Sequence, residues 1–420
     1  MASSCMLSTP HLIPYAALSV QRTTTFCASR STEAKLNPSC RTLIASCASS
    51  SLPFDLPPPP IDLDFIGTVT AEGAAVSNDG IIESFHNDIK ALEAFYNGAV
   101  VADLSHCGRI RVSGEDRIHF LHNQSTANFE SVQAEQGFNT VFVTPTARTI
   151  DIAQAWIMKN SVLLFVSMET CQSVVQMLNK YIFFADKVEI EDITKKTSLF
   201  MLSGLQCDQV LTGLNLGDVV GQPCGTHRHY SVNGMPVTVG AGSYISDDGY
   251  TLMASAAAAG SVWKALLEQG AIPMGSMALE RLRIMQGKPA PGKELKDEFN
   301  VLEAGLWNSI SVNKGCYKGQ ETISRLITYD GVKQRLLGVN LSSQAEPGTI
   351  IFKDGKKVGK LTSYACGIKP SDHFGLCYIK RQNATPGASV LVGENVSGTL
   401  MVPPYLSTQR PPSLVKTMSR

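Results

Sequence analysis

Residues 138–167, FNTVFVTPTARTIDIAQAWIMKNSVLLFVS, hold three β-rich stretches broken by Pro145 and by Lys159–Asn160. Stretches of this length with turn residues between them predict an antiparallel meander. A helix over 169–184 should follow, because Val174, Leu178, Tyr181 and Ile182 recur at i, i+4, i+7 and i+8. Upstream, Val100–Ala102 and Ile110–Val112 are short apolar runs that read as two strands. Ser113 to Asp116 fits the S-x-x-D form of a capping box ahead of RIHFLHNQ, where Ile118, Leu121 and His122 share a helix face.

The same succession returns over 198–270 without any residue-level repeat. SLFMLSG reads as a strand, CDQVLTGLN as a helix, MPVTVG and YTLMAS as a strand pair around the Asp248–Gly249 turn. AAGSVWKALLEQG is a helix ending at Gly270. After residue 330 the texture becomes short strands with glycine turns, RLLGVNL, GTIIF, KVGKLTS, FGLCYIK and ASVLVG, which predicts a small β-barrel or sandwich. A chain of 420 residues exceeds one hydrophobic core, so this division into domains is expected.

The 36 basic and 36 acidic residues cancel, and no long basic run occurs, so nucleic acid and anionic membrane surfaces lack compositional support as partners. No apolar run approaches the roughly 18–20 residues of a membrane helix. Residues 1–50 are rich in Ser, Thr and Ala and set Arg22, Arg30, Lys35 and Arg41 against Glu33 alone. That pattern predicts a plastid transit peptide and hence the chloroplast stroma. Residues 51–64, SLPFDLPPPPIDLD, read as a stiff linker, since consecutive prolines favour polyproline II. Cys5, Cys27, Cys40 and Cys47 would leave with the transit segment. Cys107, Cys171, Cys207, Cys224, Cys316, Cys366 and Cys377 are scattered without any C-x-x-C, so free thiols are expected and no metal site.

Within NKGCYKGQE, residues 313–321, Lys314 and Lys318 are close enough in sequence to favour a Cys316 thiolate, and Gly315 and Gly319 permit positive φ. A reactive thiol, a ligand, or a tight turn with an inward cysteine all fit those nine residues. A Cys–His dyad would have to be assembled by the fold.

With TISR after it, the segment resembles the K-G-C-Y-x-G-Q-E signature of the YgfZ-type folate-binding proteins, relatives of the glycine cleavage T-protein. It runs unbroken through Lys314, Gly315, Cys316, Tyr317, Gly319, Gln320 and Glu321, with Arg325 where that family carries an arginine. The resemblance spans about 90–400. DLSH at Asp103–His106 is similar to the T-protein entry segment, and Phe120, Leu121, Gln124 and Thr126 match an F-L-x-x-Q-x-T stretch. Residues 270–307 resemble the helix and loop that precede the motif in both groups.

The resemblance implies an α+β fold: two ferredoxin-like α/β units around a central folate-binding opening (65–325) and a C-terminal β-barrel (326–410). It implies tetrahydrofolate or a one-carbon derivative as cofactor, with Asp151, Gln124, Lys314, Gly315, Tyr317, Gly319, Gln320, Glu321 and Arg325 as binding residues and Cys316 as the working thiol or ligand. It further implies a monomer that supports iron–sulfur client or assembly proteins. Folate-dependent one-carbon transfer, or a scaffold without catalysis, are the alternatives.

Three departures argue against aminomethyl transfer. T-protein's paired aspartates are reduced to Asp151 beside Ile152. Met285 stands where its pterin-binding glutamate would lie, and Asn128 ends the F-L-x-x-Q-x-T-x-D pattern. Replacing a bidentate carboxylate by a thioether should cost about 2 kcal/mol of pterin affinity. Asp103 and His106 are expected as a polar pair at a strand end, and His227 and His229 as loop surface. Trp156 and Trp263 are expected in the core, and Trp307 in the core or bordering a pocket.

Overall fold

The computed structural model describes residues 64–409. The expected transit segment, most of the linker and residue 410 lie outside them.

A lead-in of Phe65–Ala71 (α1), Ala75–Val76 (β1), Ile82–Ser84 (β2) and Asp88–Asn97 (α2) precedes Val100–Asp103 (β3). The first α/β unit is Gly108–Ser113 (β4), Arg117–Gln124 (α3), Gln136–Val143 (β5), Thr149–Ile157 (β6), Ser161–Val166 (β7), Met168–Lys180 (α4) and Glu189–Asp192 (β8). The second is Thr197–Ser203 (β9), Cys207–Gly213 (α5), His227–Val232 (β10), Met235–Ala241 (β11), Tyr250–Ser255 (β12), Ala259–Glu268 (α6) and Ile272–Met274 (β13). The first sheet runs β5-β6-β7-β4-β8 and the second β10-β11-β12-β9-β3-β13. In each, a meander sits beside the strand that precedes it in the chain, so the repeated succession is a repeated topology.

Strand alternation assigns the faces. In β5 and β6 the pairs Asn139↔Gln154 and Val141↔Ile152 stand on one face. Phe142, Ala153 and Ala155 pack with Leu121, Val174 and Leu178 of the covering helices on the other. The inner faces meet in a core where Trp156, Leu163 and Phe165 of the first sheet join Val100, Ala102, Leu199 and Met201 of the second. Trp156 is fully buried, and gross burial of a tryptophan contributes roughly 5 kcal/mol. It fits because Gly240 opposes it; a Cβ there would lie 2.3 Å from the indole.

Ser276–Gln286 (α7) and Gln320–Thr328 (α8) lead into Gln334–Leu341 (β14), Ile350–Lys353 (β15), Lys356–Cys366 (β16), His373–Lys380 (β17), Ser389–Val392 (β18) and Val396–Met401 (β19), followed by Pro404–Thr408 (α9). The strands close as a barrel in the order β14-β17-β16-β15-β18-β19. The buried Glu294 carboxylate pairs with Arg283 at 2.9 Å and accepts from Thr362 at 2.8 Å and Ser363 at 2.5 Å. Phe299 stacks on Tyr378 of the barrel with centroids 3.6 Å apart.

Three local expectations are corrected. The cap of α3 is Asp116, whose carboxylate accepts from the Lys187 amide at 2.9 Å instead of capping the helix, so the Ser113 box does not form. The helix expected to 184 ends at Lys180, where the Tyr181 amide turns back onto the Leu178 carbonyl at 3.0 Å. His227 and His229 lie on β10 rather than in a loop, and His227 is wholly buried on Trp156.

Candidate functional site

The meeting of the two sheets leaves a cavity of about 50 Å³. Asn139, Asp151, Gln154, Phe165 and Ser167 contribute to it from the first unit, Leu199, Tyr244 and Thr251 from the second, and Lys288, Pro289 and Pro291 from the loop after α7. A mouth of about 290 Å³ shares Leu104, Cys107, Ser167, Tyr244 and Pro291 with it and adds His106, Glu169, Glu280 and Lys293.

Asp151 is buried, and all its nearest donors come from the protein. Oδ1 accepts from the Ile152 amide at 2.8 Å and the Ser167 hydroxyl at 3.0 Å, while Oδ2 accepts from the Ser167 amide at 2.7 Å and from Thr170. Burial raises its pKa, and those hydrogen bonds oppose the rise. Lys288 donates to the Tyr244 carbonyl and lies 4.1 Å over the Tyr244 ring centroid. Burial lowers its pKa to about 8, with Asp151 the first of the charges that oppose the fall. Burial also pushes Cys107 up to about 12, so this thiol stays protonated. Asp103 accepts from the Ser105 amide at 3.1 Å and hydroxyl at 2.5 Å rather than from His106, whose Nδ1 has no partner, so the expected pair does not form. Met285, partly buried on α7, is not among the walls of either cavity.

The 313–321 loop lies elsewhere, against α3 and the β5–β6 turn. The Lys314 ammonium donates to the carbonyls of His122, Ser125 at 2.8 Å and Ala127 at 2.7 Å, capping the C-terminal end of α3. Burial lowers its pKa to about 7. Lys318 donates its amide to the Asn123 carbonyl at 3.1 Å and sets its ammonium 4.6 Å over the Tyr181 ring. Both ammoniums are thus directed to partners other than the Cys316 thiol. Tyr317 is buried with Val141 and Ile323. Gly319 has φ +84° at the start of α8, and a Cβ would sit 2.8 Å from the Thr144 carbonyl, so only glycine fits. Cys316 is exposed, as are Gly315, Glu321 and Arg325, while Gln320 is partly buried.

The fold does bring a histidine close to this loop. A Cβ on Gly315 would lie 3.7 Å from His122 Nε2, while His122 Nδ1 is 3.8 Å from Glu130. Gln124, at the end of α3, has its Oε1 buried without a partner. Among the described residues no group of three or more His, Cys, Asp or Glu could hold a metal ion.

Of the residues expected to bind folate, Asp151 lines the central cavity, Gln124 ends α3, and the others lie in the 313–321 loop and on α8. Asn139, Gln154, Tyr244 and Lys288 were not singled out. Asn139 and Gln154 did carry a signal, as polar residues on the inward face of strands that are otherwise apolar.

The family described as the GCVT N-terminal domain matches residues 83–314. A chloroplastic protein of Arabidopsis thaliana, provisionally named a transferase, is 66% identical over 368 residues, 88% of this chain and 85% of its own length. An aminomethyltransferase of Geobacillus kaustophilus is 27% identical over 327 residues, 74% of this chain and 88% of that one. The crystal structure of the glycine cleavage system aminomethyltransferase T from Bartonella henselae has the same fold. Its TM-score is 0.72 at 17% identity, over 82% of this chain and 97% of that one.

Proposed function

We propose, for a chain that belongs to the GCVT N-terminal domain family and is aminomethyltransferase-like in fold, that it binds a reduced folate in the central cavity and serves iron–sulfur proteins of the plastid stroma, as the YgfZ-type proteins do. The chloroplastic name of the 66% identical relative supports the compartment. The inner cavity admits the edge of a pterin and the mouth takes the remainder of the molecule, with Asp151 on the wall between Ser167 and the two amides. The loop carrying Cys316, with Gln320, Glu321 and Arg325 of the following α8, is the face offered to client proteins.

One observation carries the choice of a helper over an aminomethyl transferase. Asp151, the only carboxylate on the inner wall among the described residues, has both oxygens filled by four protein donors. A carboxylate so held orients its own loop and has no lone pair pre-positioned to take a proton from a folate amine. The test pairs calorimetric titration of the mature protein with tetrahydrofolate and an aminomethyl-transfer assay with glycine cleavage partner proteins. Binding without transfer, together with rescue of a line deficient in iron–sulfur maintenance, is expected. Efficient transfer would return the protein to the one-carbon transferases, and absence of folate binding would leave the scaffold reading.

A further inference from the structure

The cavity's unspent hydrogen-bonding capacity says what kind of edge it receives. Asp151 is filled, the Ser167 hydroxyl is spent on Asp151, and the Thr251 hydroxyl donates to the Gly242 carbonyl at 2.9 Å. Asn139 and Gln154 stand directly opposite each other across β5 and β6, and among the described residues neither side-chain amide has a protein partner. Among the described residues Lys288 is the only cationic side chain on the inner wall, and it donates to one protein acceptor, the Tyr244 carbonyl. An ammonium carries three donors, so two remain. The free groups are therefore two amides, each with both donor and acceptor atoms, and a cation with donors alone.

We infer that Lys288 and the facing amides of Asn139 and Gln154 form a reading edge for a planar ring with an acceptor oxygen beside Lys288, so that among reduced folates the cavity prefers one bearing a formyl group on N5. This rests on the folate reading above and narrows it. The two amides suit the mixed donor and acceptor edge of the pterin pyrimidine ring, which every folate shares. In a reduced pterin the ring carbonyl O4 and the N5 substituent lie side by side. A cation that takes O4 also reaches a formyl oxygen on N5, which accepts a hydrogen bond, whereas a methyl group or an N–H cannot. Lys288 lines the same cavity as the two amides, over the Tyr244 face, and the Asp151 carboxylate of that wall is filled by protein donors. A charge-assisted hydrogen bond made with one ligand and not another separates their affinities by about tenfold or more.

The experiment titrates the full chain with tetrahydrofolate, 5-methyltetrahydrofolate and 5-formyltetrahydrofolate. Wild type should bind the formyl compound about tenfold more tightly than the other two. Lys288→Met, matched in length, should weaken all three ligands by losing the bond to O4 and weaken the formyl compound about tenfold more than the other two, abolishing its preference. Asn139→Ala with Gln154→Ala should weaken all three ligands together. Circular dichroism melting of each variant separates lost recognition from lost folding, and Lys288→Gln, which keeps N–H donors without charge, should retain part of the preference in a folded protein. Equal affinities in wild type, or a Lys288→Met variant that weakens all three ligands alike, would overturn the assignment and leave folate binding standing. Failure of all three ligands to bind would remove the folate reading and this inference with it.

Discussion

Trp156 of the first sheet lies on His227 of the second with ring centroids 5.1 Å apart and planes 13° from parallel. His227 bonds through Nδ1 to the Gly225 carbonyl at 3.1 Å, and its Nε2 is buried without a partner. This neutral, stacked imidazole is one seam between the two α/β units.

Burial lowers the His227 pKa below 6.5. A depressed folded value means that the stability it carries is complete above 6.5 and is lost as pH falls through the folded value. Wild type should lose stability between pH 6.5 and 5 through this group, and His227→Phe should lose less over that interval. Urea unfolding at both pH values measures the difference. Identical losses in the two proteins would contradict the assignment.

Asp103 behaves oppositely. Burial raises its pKa to about 6, so its contribution is complete below 3.8 and gone above 6. Asp103→Asn keeps an acceptor for the Ser105 amide while removing a buried charge. It should therefore stabilise the protein by about 2 kcal/mol more at pH 7.5 than at pH 4. Paired denaturant curves at those two pH values would show no such gap if the carboxylate were effectively solvated.

Lys314 and Gly319 carry the structural part of the motif. Lys314→Met strips donors from three carbonyls at the end of α3 and should cost about 2–3 kcal/mol. Gly319→Ala forces a Cβ against the Thr144 carbonyl at positive φ and should cost about 2 kcal/mol. Thermal melts read both effects. A neutral Lys314→Met would mean that the ammonium is solvated rather than capping.

Cys316 should react with iodoacetamide about a hundredfold faster than Cys207 or Cys377. It is exposed, whereas burial raises the Cys207 thiol to about 12 and the Cys377 thiol further still. Cys316→Ser should fold with an unchanged melting temperature. Mass spectrometry of a timed labelling series checks the order, and equal rates at the three thiols would defeat it.

Much of the architecture was legible because its signals are local. Pro145 and Lys159–Asn160 mark a meander that forms, the Asp248–Gly249 turn joins the pair expected around it, and the glycine-punctuated tail closes as a barrel. The errors came where distant chain decides. THRHY looks polar and loop-like, yet Trp156, some seventy residues away, supplies the surface that buries His227. Lys288 gave no signal at all, because a lysine after a helix-ending glycine usually faces water, and only the packing of Tyr244 makes it a cavity wall. The lysines of the motif were read as companions of the thiol, since sequence distance cannot reveal that Lys314 reaches back to carbonyls on α3.

The buried Glu294 gives the barrel a bearing on the rest of the molecule. Its carboxylate is shared between Arg283 of α7 and the hydroxyls of Thr362 and Ser363 on β16. Pulling the barrel away would strip two hydroxyl donors from a buried carboxylate and unstack Phe299 from Tyr378, so the barrel separates from α7 and its loop only at a cost. The C-terminal strands thus behave as a keystone rather than an appendage. A protease nick in the loop before residue 334 should release no stable fragment, and recombination that exchanges the barrel must carry Glu294 and Phe299 along with it.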